Sequence, residues 1–443
     1  MTLSRTALRP QLALCLSLLL PAPAAFASNL MEVYGLAHDS DPQFRQVAAS
    51  KRAVLEQRPQ AMSQLLPQVN LNANYRQYWQ DLTTQSFGAS GAIDFESHGY
   101  ALNLSQPIFH RDRFILLDEA DSRIKQADAQ LGAAQQDLMI RVSESYFNVL
   151  AALDTLQFAQ AEKKSLSRQL EQAKQRFDVG LTAITDVQEA QAGYDRAVAE
   201  EIAAENAVDN ARESLREITG EYLTALAPLG SGMPLVEPDP DNIEQWTSTS
   251  LEQNLNVIAA MHGVDVARSE IKVQNAGHLP TLDLVANHGY DSSGGRFGVS
   301  KSHSTSVGVE LNVPIYSGGF VSSRVRESQQ RLDEQLEALE QARRQAHRLT
   351  RQAYLGVISG ISQVKALQQA VVSSDTALQA TQAGFEVGTR TAVDVVTAER
   401  GAYQARRDYA AAKYQYILNT LRLKQAAGTL SDEDLAAVNR WLE

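Results

Sequence analysis

Two stretches carry the residues most able to do chemistry, and they are nearly the same words. One is FDVGLTAITDV at 177–187; the other is FEVGTRTAVDV at 385–395. Each places a glycine three residues before a helical pattern resumes, and an aspartate six residues after that glycine, Asp186 and Asp394. The second adds Arg390. A guanidinium and carboxylates beside helix ends can cap, ion-pair and repel. They are not equipped to catalyse. Gly180 and Gly388 suit a chain that must leave a helix through a left-handed residue. Thr391 to Asp394 has the spacing of a capping box, and Asp186 near a helix start is favoured by the macrodipole.

Catalysis finds no other foothold. The eight histidines are scattered. No HExxH, GxSxG or P-loop occurs, and no Cys/His/Asp/Glu set has metal-ligand spacing. SSGG at 292–295 is followed by no helix with a lysine, so it is no phosphate loop. The reading is a non-enzyme with no cofactor.

The elements that carry these stretches are long. No proline occurs between Pro107 and Pro228, or after Pro314. From about 112 to 179 the pattern is helical, and at ~1.5 Å per residue it spans ~100 Å. Met139, Val142, Tyr146, Val149, Leu153 and Leu156 step by three and four, a coiled-coil seam. Tyr354, Val357, Ile361 and Val364 keep the same rhythm. Return helices of ~55 Å start near 183 and 391. Shorter helices, one capped by Asp41-Pro42 and running to about 64, the other at about 251–276, bring the second column close to the length of the first.

The whole plan occurs twice. Tyr146 and Tyr354, Gly180 and Gly388, Asp186 and Asp394, and Gly220 and Gly428 are all 208 residues apart, a duplicated unit rather than a short repeat. Each unit holds two alternating segments: 69–79 and 100–109 in the first, 281–290 and 306–316 in the second. Val69, Leu71, Ala73, Tyr75 and Trp79 point one way; Asn70, Asn72, Asn74 and Arg76 point the other. Such segments fit tilted strands crossing an outer membrane or a sheet on a soluble core. Aromatic residues near their ends (Tyr75, Trp79, Tyr100, Tyr290, Tyr316) favour the membrane. Polar loops are read over 80–99 and 291–305.

The predicted organisation is a leader at 1–27, a first repeat at 28–220, a linker at 221–250, a second repeat at 251–428 and a tail at 429–443. Arg5 and Arg9, the apolar run 12–20 and Ala25-Phe26-Ala27 form a secretory signal. It contains Cys15, the sole cysteine. The chain carries a net charge of −12; removal of two leader arginines and no acid leaves −14. That argues against nucleic acid as a partner.

Four strands cannot close a barrel, and an open sheet edge is not tolerated in lipid. Two chains would give a filled eight-stranded barrel. Three, in preference to four, give twelve strands with an open lumen above twelve helical columns. The fold class read here is therefore mainly α with a transmembrane β part: a trimer of duplicated β2-α units.

With these residues in place the chain resembles the TolC family of outer-membrane exit ducts. The resemblance covers 28–443 and rests on NLMEVY, SYFNVLAALD, RFDVGLTAITDVQEAQAGYD, HLPTLDL, VPIYSGGFV, FEVGTRTAVDVV and LKQAAGTL. It implies a homotrimeric channel-tunnel, with its barrel in outer-membrane lipid and a helical tunnel across the periplasm. An inner-membrane efflux pump or secretion ATPase would recruit it through a periplasmic adaptor. It implies service in multidrug efflux and type I secretion, and iris-like untwisting as the opening movement. Carried over residue by residue, Arg390 ties to Thr185 and Asp186 as a periplasmic gate, and Asp394 lines the pore. Phe385 stands where the family has a tyrosine, and Thr397 where it has a second lumen aspartate, which implies weaker closure. Val179, Gly180 and Leu181, with Val387, Gly388 and Thr389, match the tip where adaptor hairpins dock. The alternative is a trimeric coiled-coil surface protein without transport.

Overall fold

The chain is described by a computed structural model that covers residues 27–442 apart from 87, 88, 231 and 296. The leader reading, and Cys15 with it, lies outside the described residues, Ala27 excepted.

Helices α1 (Leu30–Ser40) and α2 (Pro42–Leu55) are separated by one residue, Asp41, which caps the second. Its carboxylate accepts the Phe44 N–H at 2.7 Å, and Pro42 occupies the first helical position, where an N–H would be unpaired anyway. After α3 (Gln57–Ser63) come β1 (Gln68–Ser86) and β2 (Ala89–Phe109), then α4 (Arg111–Asp178) and α5 (Ile184–Thr219). The second half runs α6 (Ile243–Gln253), α7 (Leu255–Ala276), β3 (Thr281–Ser293), β4 (Ser300–Asn312), α8 (Phe320–Glu386), α9 (Ala392–Ala427) and α10 (Asp432–Asn439).

The strands form one antiparallel sheet in the order β1-β2-β3-β4. Val69 lies opposite Leu104, Leu104 opposite Ala286, and Ala286 opposite Val307. Directly opposed residues share a face, so one face is apolar across all four strands. The next row along, Asn70, Asn103, Asn287 and Ser306, makes the other face polar. Toward the outer end of the apolar face, Tyr100 meets Tyr290 at 6.1 Å between ring centroids and Tyr290 meets His303 at 4.8 Å. Neither β1 nor β4 has a second partner strand among the described residues. Two rows of backbone donors and acceptors are therefore open at the sheet margins.

The strand limits differ from those read in the sequence. The first hairpin does not give way to a loop at 80–99: β1 continues to Ser86 and β2 begins at Ala89. Trp79 pairs with Asp94, and Tyr78 stacks on Phe95 at 5.0 Å. Ladder bonds are made by backbone, so a polar Gly/Ser stretch prolongs a hairpin without apolar alternation. In the second hairpin the strands are 281–293 and 300–312, not 281–290 and 306–316. Pro314 has no N–H to give to a ladder. Residues 313–316 thus leave the sheet, and Ile315 is 94% exposed.

Below the sheet, α4 and α8 run 68 and 67 residues, ~100 Å each. Ion pairs Arg58–Asp121, Lys51–Asp128 and Arg141–Asp41 lay α3 and α2 along the near half of α4. Lys163–Glu201 fastens α5 to its far half. The return helices end where the short ones begin. Ser40 Oγ donates to the Thr219 carbonyl at 2.6 Å, joining the end of α5 to the α1–α2 junction. Asn254 Nδ2 donates to the Ala426 carbonyl at 2.9 Å, and its Oδ1 accepts from the first turn of α7. At that meeting Gly428 has φ 80°, and a Cβ on it would lie 2.1 Å from the Gln253 carbonyl oxygen.

The main core sits at mid-length. It gathers Leu30 and Val33 of α1, Val142, Tyr146 and Phe147 of α4, Val357 of α8, Tyr416 and Ile417 of α9 and Leu435 of α10. Three tyrosines strap the connecting segment onto it. Tyr146 donates to the Ala227 carbonyl at 2.8 Å, and Tyr354 to Asp241 Oδ1 at 2.6 Å. The Tyr416 hydroxyl both accepts from the Val236 N–H and donates to its carbonyl. No helix among the described residues is long and apolar enough to cross a membrane.

Candidate functional site

The chain reverses twice at the end farthest from the sheet, and the two reversals share one geometry. Gly180 has φ 76°; its N–H bonds the Phe177 carbonyl at 2.9 Å, and the Leu181 N–H bonds the Arg176 carbonyl at 2.8 Å. Gly388 has φ 79°, with N–H to Phe385 at 3.1 Å and Thr389 N–H to Gly384 at 2.8 Å. These are Schellman closures of α4 and α8. Nothing lies within 4 Å of a Cβ built on either glycine. Backbone conformation, not space, demands glycine there.

The helices that follow begin differently. Thr391 and Asp394 form a reciprocal capping box: Asp394 N–H donates to Thr391 Oγ1 at 3.2 Å, and Thr391 N–H to Asp394 Oδ2 at 2.8 Å. The Thr391 N–H and hydroxyl, with the Arg390 charge beyond them, hold the Asp394 carboxyl below the usual carboxylate range. At the start of α5 the N-cap is Ala183, which offers no side-chain bond. Asp186 instead accepts the Thr182 hydroxyl. Thr185 is exposed beside it.

Arg390 runs back across α8. A Cβ on Gly384 would lie 2.7 Å from Arg390 Cγ, so the missing side chain at 384 is what lets the arginine stem pass. Among the described residues of one chain, no ion pair joins Arg390 to Asp186 or to any other carboxylate. Phe385 is engaged by a residue that the sequence reading passed over: the Arg176 guanidinium of α4 sits 4.7 Å above its ring. That contact links the ends of the two long helices.

Val179, Leu181 and Val387 are 69%, 77% and 75% exposed in the single chain, with Gly180, Gly388 and Thr389 between and beside them. Behind these turns a groove of about 270 Å³ lies between α5 and α9. Ala190, Gly193 and Ala197 line one side; Val393, Val396 and Thr397 line the other. Small residues let the helices approach: a Cβ on Gly193 would be 3.7 Å from Val396 Cγ1.

A second feature was also passed over. Val395, Glu399 and Ala402 follow seam spacing and are all buried, so a carboxyl occupies a core position of α9. The signal was present in the sequence as a charge within an a/d pattern. No group of three or more metal-ligating side chains occurs among the described residues.

An edge-open sheet, apolar on one face and polar on the other, set on ~100 Å helical columns that end in paired glycine turns, defines the subunit of an outer-membrane channel with a helical tunnel. The chain belongs to the outer membrane efflux protein family, which it matches over residues 33–221 and 246–429. Outer membrane protein TolC of Vibrio cholerae is 40% identical over 424 residues, 95% of each chain. The alkaline protease secretion protein AprF of Pseudomonas aeruginosa is 31% identical, over 95% of this chain and 89% of that one. The Campylobacter jejuni CmeC outer membrane channel has the same fold, with TM-score 0.78 at 16% identity over 100% of this chain and 98% of that one. The protein is thus an outer-membrane channel whose helical part is periplasmic. Solved channels of this fold are trimeric tunnels of a β-barrel continued by an α-barrel.

Proposed function

We propose that the protein is a common exit duct, serving both small-molecule efflux pumps and type I protein secretion. Its kinship spans both trades: the family is that of outer membrane efflux proteins, and the relative AprF is an alkaline protease secretion protein. Substrate would pass from an inner-membrane pump or secretion ATPase, through an adaptor seated on the turns at 179–181 and 387–389, into the lumen. The exposed apolar residues of those turns and the groove behind them suit a docked helical hairpin.

The closed tip is held by Arg390 of one chain against Thr185 and Asp186 of the next. The observation that carries this reading is a mismatch within the single chain. Among the described residues Arg390 makes no ion pair, its charge reaching only Asp394 at longer range, and Asp186 finds only the Thr182 hydroxyl. Both charges are left free for a neighbour at the same pole of the tube. Asp394, already committed to its cap, lines the pore. One exposed ion pair contributes only ~0.2–1 kcal/mol. Three copies reach about 2 kcal/mol, roughly a thirtyfold bias toward the closed tip. Opening is an outward untwisting of the coiled coils.

Single-channel recording in planar bilayers tests this. Arg390→Ser should raise conductance several-fold, and Asp394→Asn should weaken block by multivalent cations. A wild-type conductance in the Arg390→Ser trimer would remove Arg390 from the gate.

A further inference from the structure

Glu399 projects from α9 into the junction where the α8/α9 coil packs on α4, one and a half turns above the capping box. It is 4% exposed. Ser165 of α4 donates to its Oε1 at 2.6 Å. Its Oε2 is buried with no partner, and so is Oε1 of Gln169, one turn further along α4. Two acceptor oxygens thus lie buried in one seam with no hydrogen bond of their own, and the groups nearest the carboxyl, Ser165, Gln169 and Gln382, are all neutral. A carboxylate in such a place bears the full cost of lost hydration. A proton on Oε2 removes the charge and supplies the missing donor.

We infer that Glu399 is carried as a neutral carboxylic acid in the closed tunnel, stapling α9 to α4, and that its ionisation drives the two coiled coils apart and favours the open tip. The proposal rests on the tip being the gate.

The surroundings do not supply a cation to keep it charged. From α4 it is faced by Ser165 and Gln169, with Glu162 and Arg168 in the wider shell; from α8 by the uncharged Gln382; from α5, at longer range, Glu200. On α9 itself, Arg400 turns to Glu162 at 3.8 Å, and Tyr403 and Arg407 lie beyond. Burial pushes the Glu399 carboxyl up, and the Ser165, Gln169 and Gln382 side chains only partly oppose it. Glu162, seven residues before Gln169, is likewise pushed up by burial and by Glu200.

The direction follows from the two states. A carboxyl whose pKa is raised in the closed seam and ordinary in the opened one binds its proton more tightly when closed. Closure is then fully supported at low pH and weakens as pH rises from the ordinary carboxylate range through the raised value. Over that window the closed–open ratio should fall about tenfold per pH unit for each acid released.

Conductance and opening frequency of the reconstituted trimer, recorded from about pH 4 to about pH 8, test the inference with wild type, Glu399→Gln and Arg390→Ser. The expected result is that opening rises with pH in wild type, and that Glu399→Gln, permanently neutral and of the same shape, stays closed and flat. Infrared difference spectra should show a buried protonated carboxyl in wild type that disappears as pH rises and is absent from Glu399→Gln. Superimposed pH profiles for wild type and Glu399→Gln would overturn the proposal while leaving the Arg390→Ser effect intact. If the tip were not the gate, Arg390→Ser would instead match wild type at every pH.

Discussion

The two halves of this chain were built to one plan, and they differ most at its two ends. Both reversals close with the same Schellman bonds around Gly180 and Gly388. Yet α9 begins with a complete capping box, and α5 begins with Ala183 and none. Asp394 is occupied by its own helix start; the matching Asp186 is not. At the opposite end the first hairpin has strands of 19 and 21 residues, the second 13 and 13. Mid-length, the seam residues Tyr146 and Val149 and their counterparts Tyr354 and Val357 are buried in both halves. The lesson is that duplicated positions kept their chemistry where packing constrained them and parted where a neighbour or solvent is met.

That comparison can be broken first at the core. Tyr146 is fully buried and holds the Ala227 carbonyl; its counterpart Tyr354 is 8% exposed and holds only Asp241. Tyr146→Ala should cost about 3–5 kcal/mol and Tyr354→Ala about half that, read as a lowered Tm. Equal losses would mean that the two tyrosines still do the same job.

The glycine pair at the helix meetings sharpens it further. Gly220 and Gly428 both have positive φ, but a Cβ on Gly220 would sit 3.5 Å from Ser40 Cβ, whereas on Gly428 it would strike the Gln253 carbonyl. Gly220→Ala should cost ~1 kcal/mol, the strain of the left-handed backbone alone. Gly428→Ala should cost at least twice that, because the α6–α7 junction must move. Denaturant midpoints of the two variants should differ in that order, and a reversed order would refute the close approach.

The smallest effect belongs to the caps. Thr391→Ala removes the hydroxyl arm of a capping box, the acceptor of the Asp394 N–H, and should destabilise the first turn of α9 by about 1 kcal/mol. Thr182→Ala should change the first turn of α5 by less than half as much. Hydrogen exchange of residues 392–396 against 184–188 reads both. A larger effect at Thr182 would make Asp186 the more firmly held carboxylate, and would argue against its being free for Arg390.

Much of this was legible in the residues. Of the seam positions, Met139, Val142, Tyr146 and Val149, and Tyr354, Val357, Ile361 and Val364, are buried, while Leu153 and Leu156 are half-buried; a three-four spacing can present only one face to a neighbour. The alternation of Val69 and Leu71 against Asn70 and Asn72 marked the two faces of the sheet. What escaped was the reach of the first hairpin past Trp79, since backbone pairing leaves no apolar signature in polar residues. The end of β4 was misjudged although Pro314 stood in view.

The sequence by itself determined the duplicated plan, the helix lengths, the glycine turns and the polarity of each strand face. Those depend on local conformational preference and on periodicity, which a single chain carries along its length. Only the tertiary structure decided that Arg176 lies over Phe385 and that Glu399 is sealed between α4 and α9. Those facts depend on which faces of distant helices meet. No spacing records that, because contact across more than two hundred residues is set by packing rather than by the order of the chain.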